Sequence, residues 1–241
     1  MTTFVFVHGA CHGAWCWSKL TPEMEARGHR AVALDLPALG EDETPLRAVT
    51  FDSTIQRVVD TIGAETEPVV LVGHSLGGIS ITQAAERIPQ RIRRLVYLSA
   101  ALPRDGETLE EIYASPAAFP ETPNRSATRS PDGLSYAFSP EAARGRFYHD
   151  CSEEDFAYCV ARLKPQPLVM RASRLQLTPD RHGRIPRAYI HCEDDRSISI
   201  AMQKGMVARS PCDRVASLPT SHSPFLSAPA RLAETLCAVS A

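Results

Sequence analysis

The stretch Val69-Val-Leu-Val-Gly-His-Ser-Leu-Gly-Gly78 decides the fold of this chain. It begins with an apolar, β-branched run typical of a buried strand and continues into small residues that are compatible with a helix. Between them lies the G-x-S-x-G pattern of a sharp strand-to-helix turn, whose apex, Ser75, takes a strained backbone conformation and presents its hydroxyl outward. Glycines two residues before and after the serine avoid collisions with the neighbouring strand or helix. The pattern therefore predicts a nucleophilic serine at the end of a central strand.

Other apolar segments of strand length surround this turn. Before the proline-rich middle of the chain they are residues 3–7, 29–34 and 95–99, and after it they are residues 188–191 and 215–218. Helix-length spacers separate them, including a helix that starts at Thr21-Pro22 and stops at Gly28, and one from Asp52, as the N-cap, to Ile62. This alternation predicts an α/β fold with a mostly parallel sheet covered by helices on both faces.

The middle of the chain, residues 104–185, has a different character. It is rich in prolines and turns, and we predict no buried strand there and one helix, from Ser152 to about residue 163. We interpret this segment as a cap inserted into a core formed by residues 1–103 and 186–241. Ligands of open α/β folds bind at the carboxyl ends of the strands, so a cap there would cover the site. A disordered insertion is the alternative, which the scattered aromatic residues disfavour.

Composition limits the classes of function. The 241 residues are 44% hydrophobic and 22% charged with a net charge of −2, which disfavours binding to nucleic acid or to a membrane surface. No apolar run is long enough to cross a membrane, and no signal peptide is evident. The seven cysteines lack metal-like spacing, so we expect reduced thiols, no metal site and a cytoplasmic protein. A homodimer is one possible oligomeric state, because symmetric dimers are common.

A serine nucleophile needs a base and an orienting acid. His222 follows the last predicted strand and precedes the last helix, which is where this architecture carries its general base. Asp195 and Asp194 both follow the penultimate strand; we favour Asp195, while Asp194 and, more remotely, Asp105 stay open as alternatives. The backbone N–H groups of Ala10 and Leu76, the latter directly after the serine, are the expected oxyanion donors.

Several motifs resemble the plant methylesterase and hydroxynitrile lyase group of α/β-hydrolases. They are His8-Gly-Ala-Cys-His-Gly-Ala-Trp-Cys-Trp17, Gly73-His-Ser-Leu-Gly-Gly78, Phe147-Tyr-His-Asp-Cys-Ser-Glu-Glu-Asp155, Cys192-Glu-Asp-Asp-Arg-Ser-Ile198 and Ser221-His-Ser-Pro-Phe-Leu226. The resemblance covers nearly the whole chain and is weakest over residues 104–145. It implies that Asp195 is the acid of the triad and that Ala10 and Leu76 are the oxyanion donors.

The resembled group contains both hydrolases and lyases, and departures from the lyase pattern favour hydrolysis. S-selective lyases carry threonine, cysteine and lysine where this chain has Ala10, Leu76 and Ser223, and R-selective ones carry asparagine in place of Ala10. The resulting prediction is a cofactor-independent carboxylic ester hydrolase whose partner is a small ester. We expect substrate contacts from core residues His12 and Trp15 and from cap residues Phe119, Phe147 and Leu168. A non-hydrolytic catalyst and a ligand-binding protein with vestigial catalysis are the alternatives.

Overall fold

Nine strands lie in two sheets in the computed structural model, which describes residues 1–114 and 127–241. They are β1 (Thr3–Val7), β2 (Arg30–Leu34), β3 (Val69–His74), β4 (Ile92–Leu98), β5 (Thr128–Arg129), β6 (Ser135–Ala137), β7 (Gln166–Pro167), β8 (Arg187–Cys192) and β9 (Arg214–Leu218). The main sheet has the order β2-β1-β3-β4-β8-β9 and every neighbouring pair is parallel. The predicted α/β-hydrolase fold is confirmed.

The described residues also form ten α-helices. They are α1 (Leu20–Ala26), α2 (Phe51–Gly63), α3 (Gly77–Arg87), α4 (Leu109–Tyr113), α5 (Pro140–Phe147), α6 (Glu153–Val160), α7 (Val169–Ala172), α8 (Ile200–Arg209), α9 (Pro224–Ser227) and α10 (Pro229–Ser240). Because β1 alternates its side chains between the two faces of the sheet, Val5 packs in one hydrophobic cluster with α2, α3 and α8. Phe4 packs in the other cluster, with α1 and α10. Helices therefore cover both faces, as the apolar strands require.

Two predicted helix starts are wrong. Helix α1 begins at Leu20, before the predicted cap at Thr21-Pro22, although it does end just ahead of Gly28, whose φ is +77°. Helix α2 is capped by Thr50 rather than Asp52, because the Thr50 side chain accepts a 2.9 Å hydrogen bond from the Ser53 N–H and the Thr50 N–H donates to the Ser53 hydroxyl at 3.0 Å. A capping box of this kind satisfies two backbone donors at once, which a single aspartate cap does not.

The segment that we interpret as a cap contains more regular structure than the sequence predicts. Strands β5, β6 and β7 form a small antiparallel sheet, and Ser135, Tyr136 and Gln166 in it are buried, which corrects the expectation of no buried strand. Helices α4, α5 and α7 accompany the predicted helix, which is α6 with Ser152 as its N-cap. Strands of two or three residues are too short to show a periodic pattern, so sequence reasoning missed them.

Among the described residues, no helix is both long and apolar enough to cross a membrane.

Candidate active site

Ser75 occupies the turn between β3 and α3 with a φ of +54°, a left-handed conformation that non-glycine residues rarely adopt. Three hydrogen bonds hold its backbone in this strained conformation. Its N–H donates to the Leu98 carbonyl at 3.3 Å, and its carbonyl accepts from the N–H groups of Gly78 and Ala101 at 3.1 and 3.0 Å. The predicted strand-to-helix elbow is therefore present, with Ser75 at its apex.

Two glycines of the elbow allow α3 to approach the sheet closely. A Cβ on Gly77 would lie 2.7 Å from the carbonyl oxygens of Val7 and His8, and one on Gly78 would lie 2.1 Å from the carbonyl oxygen of Ala101. Both distances are too short for any side chain, so the start of the helix touches the end of β1 directly. The serine is thereby brought beside the loop that follows β1.

His222 and Asp195 form a buried pair at the same edge of the sheet. The Nδ1–H of His222 donates to Oδ2 of Asp195 at 2.5 Å, and the two side chains are 1% and 0% exposed. Such a bond fixes the tautomer in which Nε2 carries the lone pair. Asp194, the alternative acid, is exposed, and the carboxylate of Asp105 accepts a hydrogen bond from the Leu177 N–H in the cap. The geometry favours Asp195 over both alternatives.

The carboxylate of Asp195 has three further hydrogen-bond donors. Ser99, which directly follows β4, donates from Oγ to Oδ2 at 2.5 Å, while the N–H groups of Ser197 and Ile198 donate to Oδ1 at 2.5 and 2.9 Å. The side chain of Gln203, fully buried in α8, braces the same loop through the carbonyl oxygens of Cys192 and Ile198. Sequence reasoning missed Ser99 and Gln203.

The loop that carries His222 is tied to two other parts of the molecule. His74, beside the serine, donates from Nε2 to the His222 carbonyl at 2.8 Å. Asp150 of the cap accepts the Ser221 N–H at 2.7 Å on Oδ2 and the Ser221 hydroxyl on Oδ1. The candidate base is therefore held from the elbow on one side and from the cap on the other.

The loop after β1 lies against the serine. A Cβ on Gly9 would be 2.8 Å from the Cβ of Ser75, so only glycine permits this approach. In the described part of the chain, the backbone N–H groups of Ala10 and Leu76 donate to no protein acceptor. Two such donors beside a nucleophile can together receive the oxygen of a carbonyl that is being attacked.

A small cavity joins these groups. This inner cavity has a volume of about 30 Å³ and is lined by Ala10, His12, His74, Ser75, Leu76, Leu109, Tyr113, Tyr136, Phe138, Arg146, Phe147, Ser197 and His222. An outer cavity of about 370 Å³ shares five of these residues, namely Leu109, Tyr113, Tyr136, Phe138 and Arg146. The shared wall makes the outer cavity the space into which a molecule too large for the inner one extends.

The predicted substrate-contacting residues divide into three groups. His12 and Phe147 line the inner cavity. Trp15 does not: it stacks behind His12, with ring centroids 5.3 Å apart, and packs against Tyr158. Leu168, which precedes α7, lines neither cavity; its N–H donates to the carbonyl of Leu134, which directly precedes β6. Phe119 lies outside the described residues.

Burial keeps His12 and His74, two histidines of this wall, neutral. It lowers the pKa of His12 to about 3 and that of His74 well below the ordinary value, because a charged ring there would lose its hydration. His12 donates from Nδ1 to the Ala10 carbonyl at 2.7 Å and accepts from the Tyr148 hydroxyl at 2.6 Å on Nε2. Burial also raises the pKa of Tyr113 to about 12. These groups therefore contribute shape and hydrogen bonds to the wall rather than charge.

Arg146 is a cation of the wall shared by the two cavities. Its guanidinium lies 5.2 Å from the ring centre of Phe138 and 5.8 Å from that of Phe147, and its Nε donates to the Ser197 hydroxyl at 3.1 Å. No sequence motif pointed to this residue. Residues 1–114 and 127–241 contain no group of three or more histidine, cysteine or acidic side chains that could hold a metal ion.

Comparisons with known proteins agree with the fold. A family model described as "Alpha/beta hydrolase family" matches residues 4–235. Methylesterase 2 of Arabidopsis thaliana is 35% identical, with 98% of this chain and 95% of that protein covered. Methyl jasmonate esterase 1 of Vitis vinifera is 32% identical, with 94% and 92% covered. The crystal structure of polyneuridine aldehyde esterase superposes with a TM-score of 0.88 at 29% identity and covers 100% of both chains.

Proposed function

Because the chain belongs to the alpha/beta hydrolase family, we propose that it is a serine-dependent carboxylic ester hydrolase of small esters. In this proposal Ser75 is the nucleophile, His222 the general base and Asp195 the acid that orients the histidine. The observation that carries it is the buried 2.5 Å hydrogen bond from His222 to Asp195. His222 lines the same cavity as Ser75, whose backbone is strained. The esterase names of the relatives support the same reaction class.

The proposed reaction has two steps. With Nδ1–H bonded to Asp195, His222 has a lone pair on Nε2 that takes the hydroxyl proton as Ser75 attacks the ester carbonyl. The N–H groups of Ala10 and Leu76 receive the oxyanion, and the protonated histidine then delivers its proton to the leaving alcohol. Water attacks the acyl-enzyme by the same route and releases the acid, so the reaction requires no cofactor.

The cavities suggest the size and polarity of the ester. The inner cavity, about 30 Å³, has room for little more than the ester group, so the remainder of the substrate would extend towards the outer cavity of about 370 Å³. Tyr136, Phe138 and Phe147 give that path an aromatic wall. Together with the relatives named as methylesterases, this favours methyl esters of aromatic or apolar acids as substrates.

Two further expectations accompany this proposal, a cytoplasmic location and a homodimer. All seven cysteines are free thiols, in keeping with the proposed cytoplasmic location, which cell fractionation would check. A homodimer remains a prediction that light scattering of the purified protein decides.

The Ser75→Ala variant provides the test. We expect wild type to hydrolyse p-nitrophenyl acetate and methyl esters of aromatic acids, and the variant to lose at least about a thousandfold in kcat, since the nucleophile is absent. Initial rates of both proteins, with mandelonitrile cleavage measured in parallel, supply the result. Equal ester turnover by the two proteins would refute the proposal. Mandelonitrile cleavage by wild type that is faster than its ester hydrolysis would also refute it and would indicate a lyase. Binding of the esters by folded wild type without turnover would identify a ligand-binding protein.

A further inference from the structure

Cys11, the residue after the proposed oxyanion donor Ala10, is held by the cap through every polar group it has. Its N–H donates to Oε1 of Gln166 at 3.0 Å, its carbonyl accepts from the Lys164 N–H at 3.0 Å, and its Sγ lies 4.0 Å from the Tyr136 carbonyl oxygen. Its φ is +66°, a left-handed conformation unusual for a residue with a side chain. The cap therefore holds this backbone in a conformation that it would not otherwise favour.

Hydrogen bonds fix the peptide groups on both sides of Ala10. On one side, His8 donates from Nδ1 to the Gly9 carbonyl at 2.8 Å, and this peptide carries the Ala10 N–H. On the other side, His12 donates to the Ala10 carbonyl, and Gln166 accepts the N–H of the same peptide group. The peptide groups on either side of the Ala10 N–H are thus held by two contacts within the core, from His8 and His12, and by one from the cap, from Gln166.

Both ends of the buried Gln166 amide make hydrogen bonds. The residue lies in β7 opposite Tyr136, is 1% exposed, and uses its Nε2 to donate to the Pro167 carbonyl at 3.3 Å. Water does not reach the amide, so its removal would leave the Cys11 N–H buried and unpaired. An unpaired donor in a strained conformation favours relaxation of the loop.

We propose that Gln166 is a positioning residue that orients the Ala10 N–H towards the developing oxyanion, an inference that rests on the proposed ester hydrolysis. The cap thereby completes the catalytic site in addition to covering it. An oxyanion donor stabilises charge only when its direction is fixed beforehand, because reorientation during the reaction cancels the gain. Gln166 touches no reacting atom and acts through Cys11 and Ala10.

Three variants test this role. Gln166→Leu keeps the size of the side chain but removes the acceptor, and we expect kcat to fall about 10- to 100-fold with KM changed less than about twofold. Gln166→Glu retains an acceptor oxygen and should recover most of kcat. The matched control is Gln83→Leu: Gln83 is also buried, and its side-chain amide makes two 3.1 Å hydrogen bonds with the Gln176 backbone instead of with the loop of residues 8–12.

Affinities separate positioning from a general structural role. A trifluoromethyl ketone, which forms a tetrahedral adduct with the serine, should bind Gln166→Leu more weakly by the same factor as kcat/KM falls, whereas the carboxylic acid product should bind unchanged. If kcat of Gln166→Leu stays within twofold of wild type, or if ketone and product affinities fall equally, the inference is wrong.

Hydrogen exchange gives a readout that needs no turnover. Amides of residues 8–12 should exchange faster in Gln166→Leu than in wild type or Gln83→Leu, because the Cys11 N–H loses its acceptor. Unchanged exchange would overturn the inference even if the protein hydrolysed no ester. Conversely, failure of the proposed function appears in the Ser75→Ala comparison, and leaves the exchange result to be judged separately.

Discussion

Asp195 accepts four hydrogen bonds, and the one from Ser99 shares Oδ2 with His222. A carboxylate with this many donors cannot rotate without breaking several of them, so its orientation towards the histidine is fixed. Ser99 itself has a φ of +38°, and its N–H donates to the Ile190 carbonyl at 2.9 Å. The strained backbone places its hydroxyl where the proposed triad acid needs a donor.

We expect Ser99→Ala to lower kcat about tenfold with little change in KM, since it removes a hydrogen bond to a charged group that orients the proposed base. Ser80→Ala is the control, because Ser80 is equally buried but its hydroxyl has no hydrogen-bond partner in the described part of the chain. Steady-state kinetics of both variants on one ester decide the matter. A loss of kcat in Ser80→Ala as large as in Ser99→Ala would contradict the assignment.

Individual residues differed in how well the sequence predicted them. The motif around Ser75 and the positions of Asp195 and His222 after their strands are local signals, and the structure brings these three residues to one edge of the sheet. Ser99 follows β4 in the same manner, so its position could have identified it. Gln166 is different, because its contact with Cys11 joins residues 155 positions apart and leaves no local pattern.

At the scale of elements, the approach of α3 to β1 makes Gly77 indispensable. We expect Gly77→Ala to lower the free energy of unfolding by about 2–4 kcal/mol, since its Cβ would lie 2.7 Å from two backbone carbonyl oxygens that cannot move aside. Gly145→Ala is the control: this glycine lies within α5 with no atom in the way, and alanine there should stabilise by about 0.5–1 kcal/mol. Urea unfolding measures both, and equal effects of the two variants would refute the steric argument.

Elements with a strong repeating pattern were predicted, whereas those defined by distant partners were not. Strand β3 is a continuous apolar run and was assigned correctly from the sequence. Strand β6, only three residues long, exists because β5 and β7 pair with it on either side. Neither partner is visible in the sequence of β6, and for that reason the cap appeared to lack buried strands.

For the whole molecule, buried neutral histidines predict loss of stability in mild acid. Burial lowers the pKa of His182 to about 4 and that of His12 to about 3, and it also lowers the pKa values of His8 and His74. An unfolded histidine binds a proton below about pH 6.5, whereas these folded ones do not until the pH falls towards their own lowered pKa values. Their contribution to stability is therefore complete above pH 6.5 and is lost as the pH falls towards the folded values.

His182→Gln tests this at a histidine that lines neither cavity of the candidate site. Between pH 6.5 and about 4, the variant should lose less stability than wild type, by up to about 1.4 kcal/mol per pH unit, because one titrating group is gone. Urea unfolding at pH 7.5 and pH 5 gives the result. The difference between the proteins at pH 7.5 reports packing alone and serves as the internal control; an identical difference at pH 5 would contradict the prediction.

The position of the cap between β4 and β8 also has a consequence for synthesis of the chain on the ribosome. The two strands are neighbours in the sheet, but about 90 residues separate them in sequence. At about 5–20 residues per second, β4 would emerge about 5–20 s before its partner. During that interval its open edge presents unpaired N–H and C=O groups, a template for pairing with other nascent chains. The number of residues between β4 and β8 thus sets how long this edge stays unpaired in each new molecule.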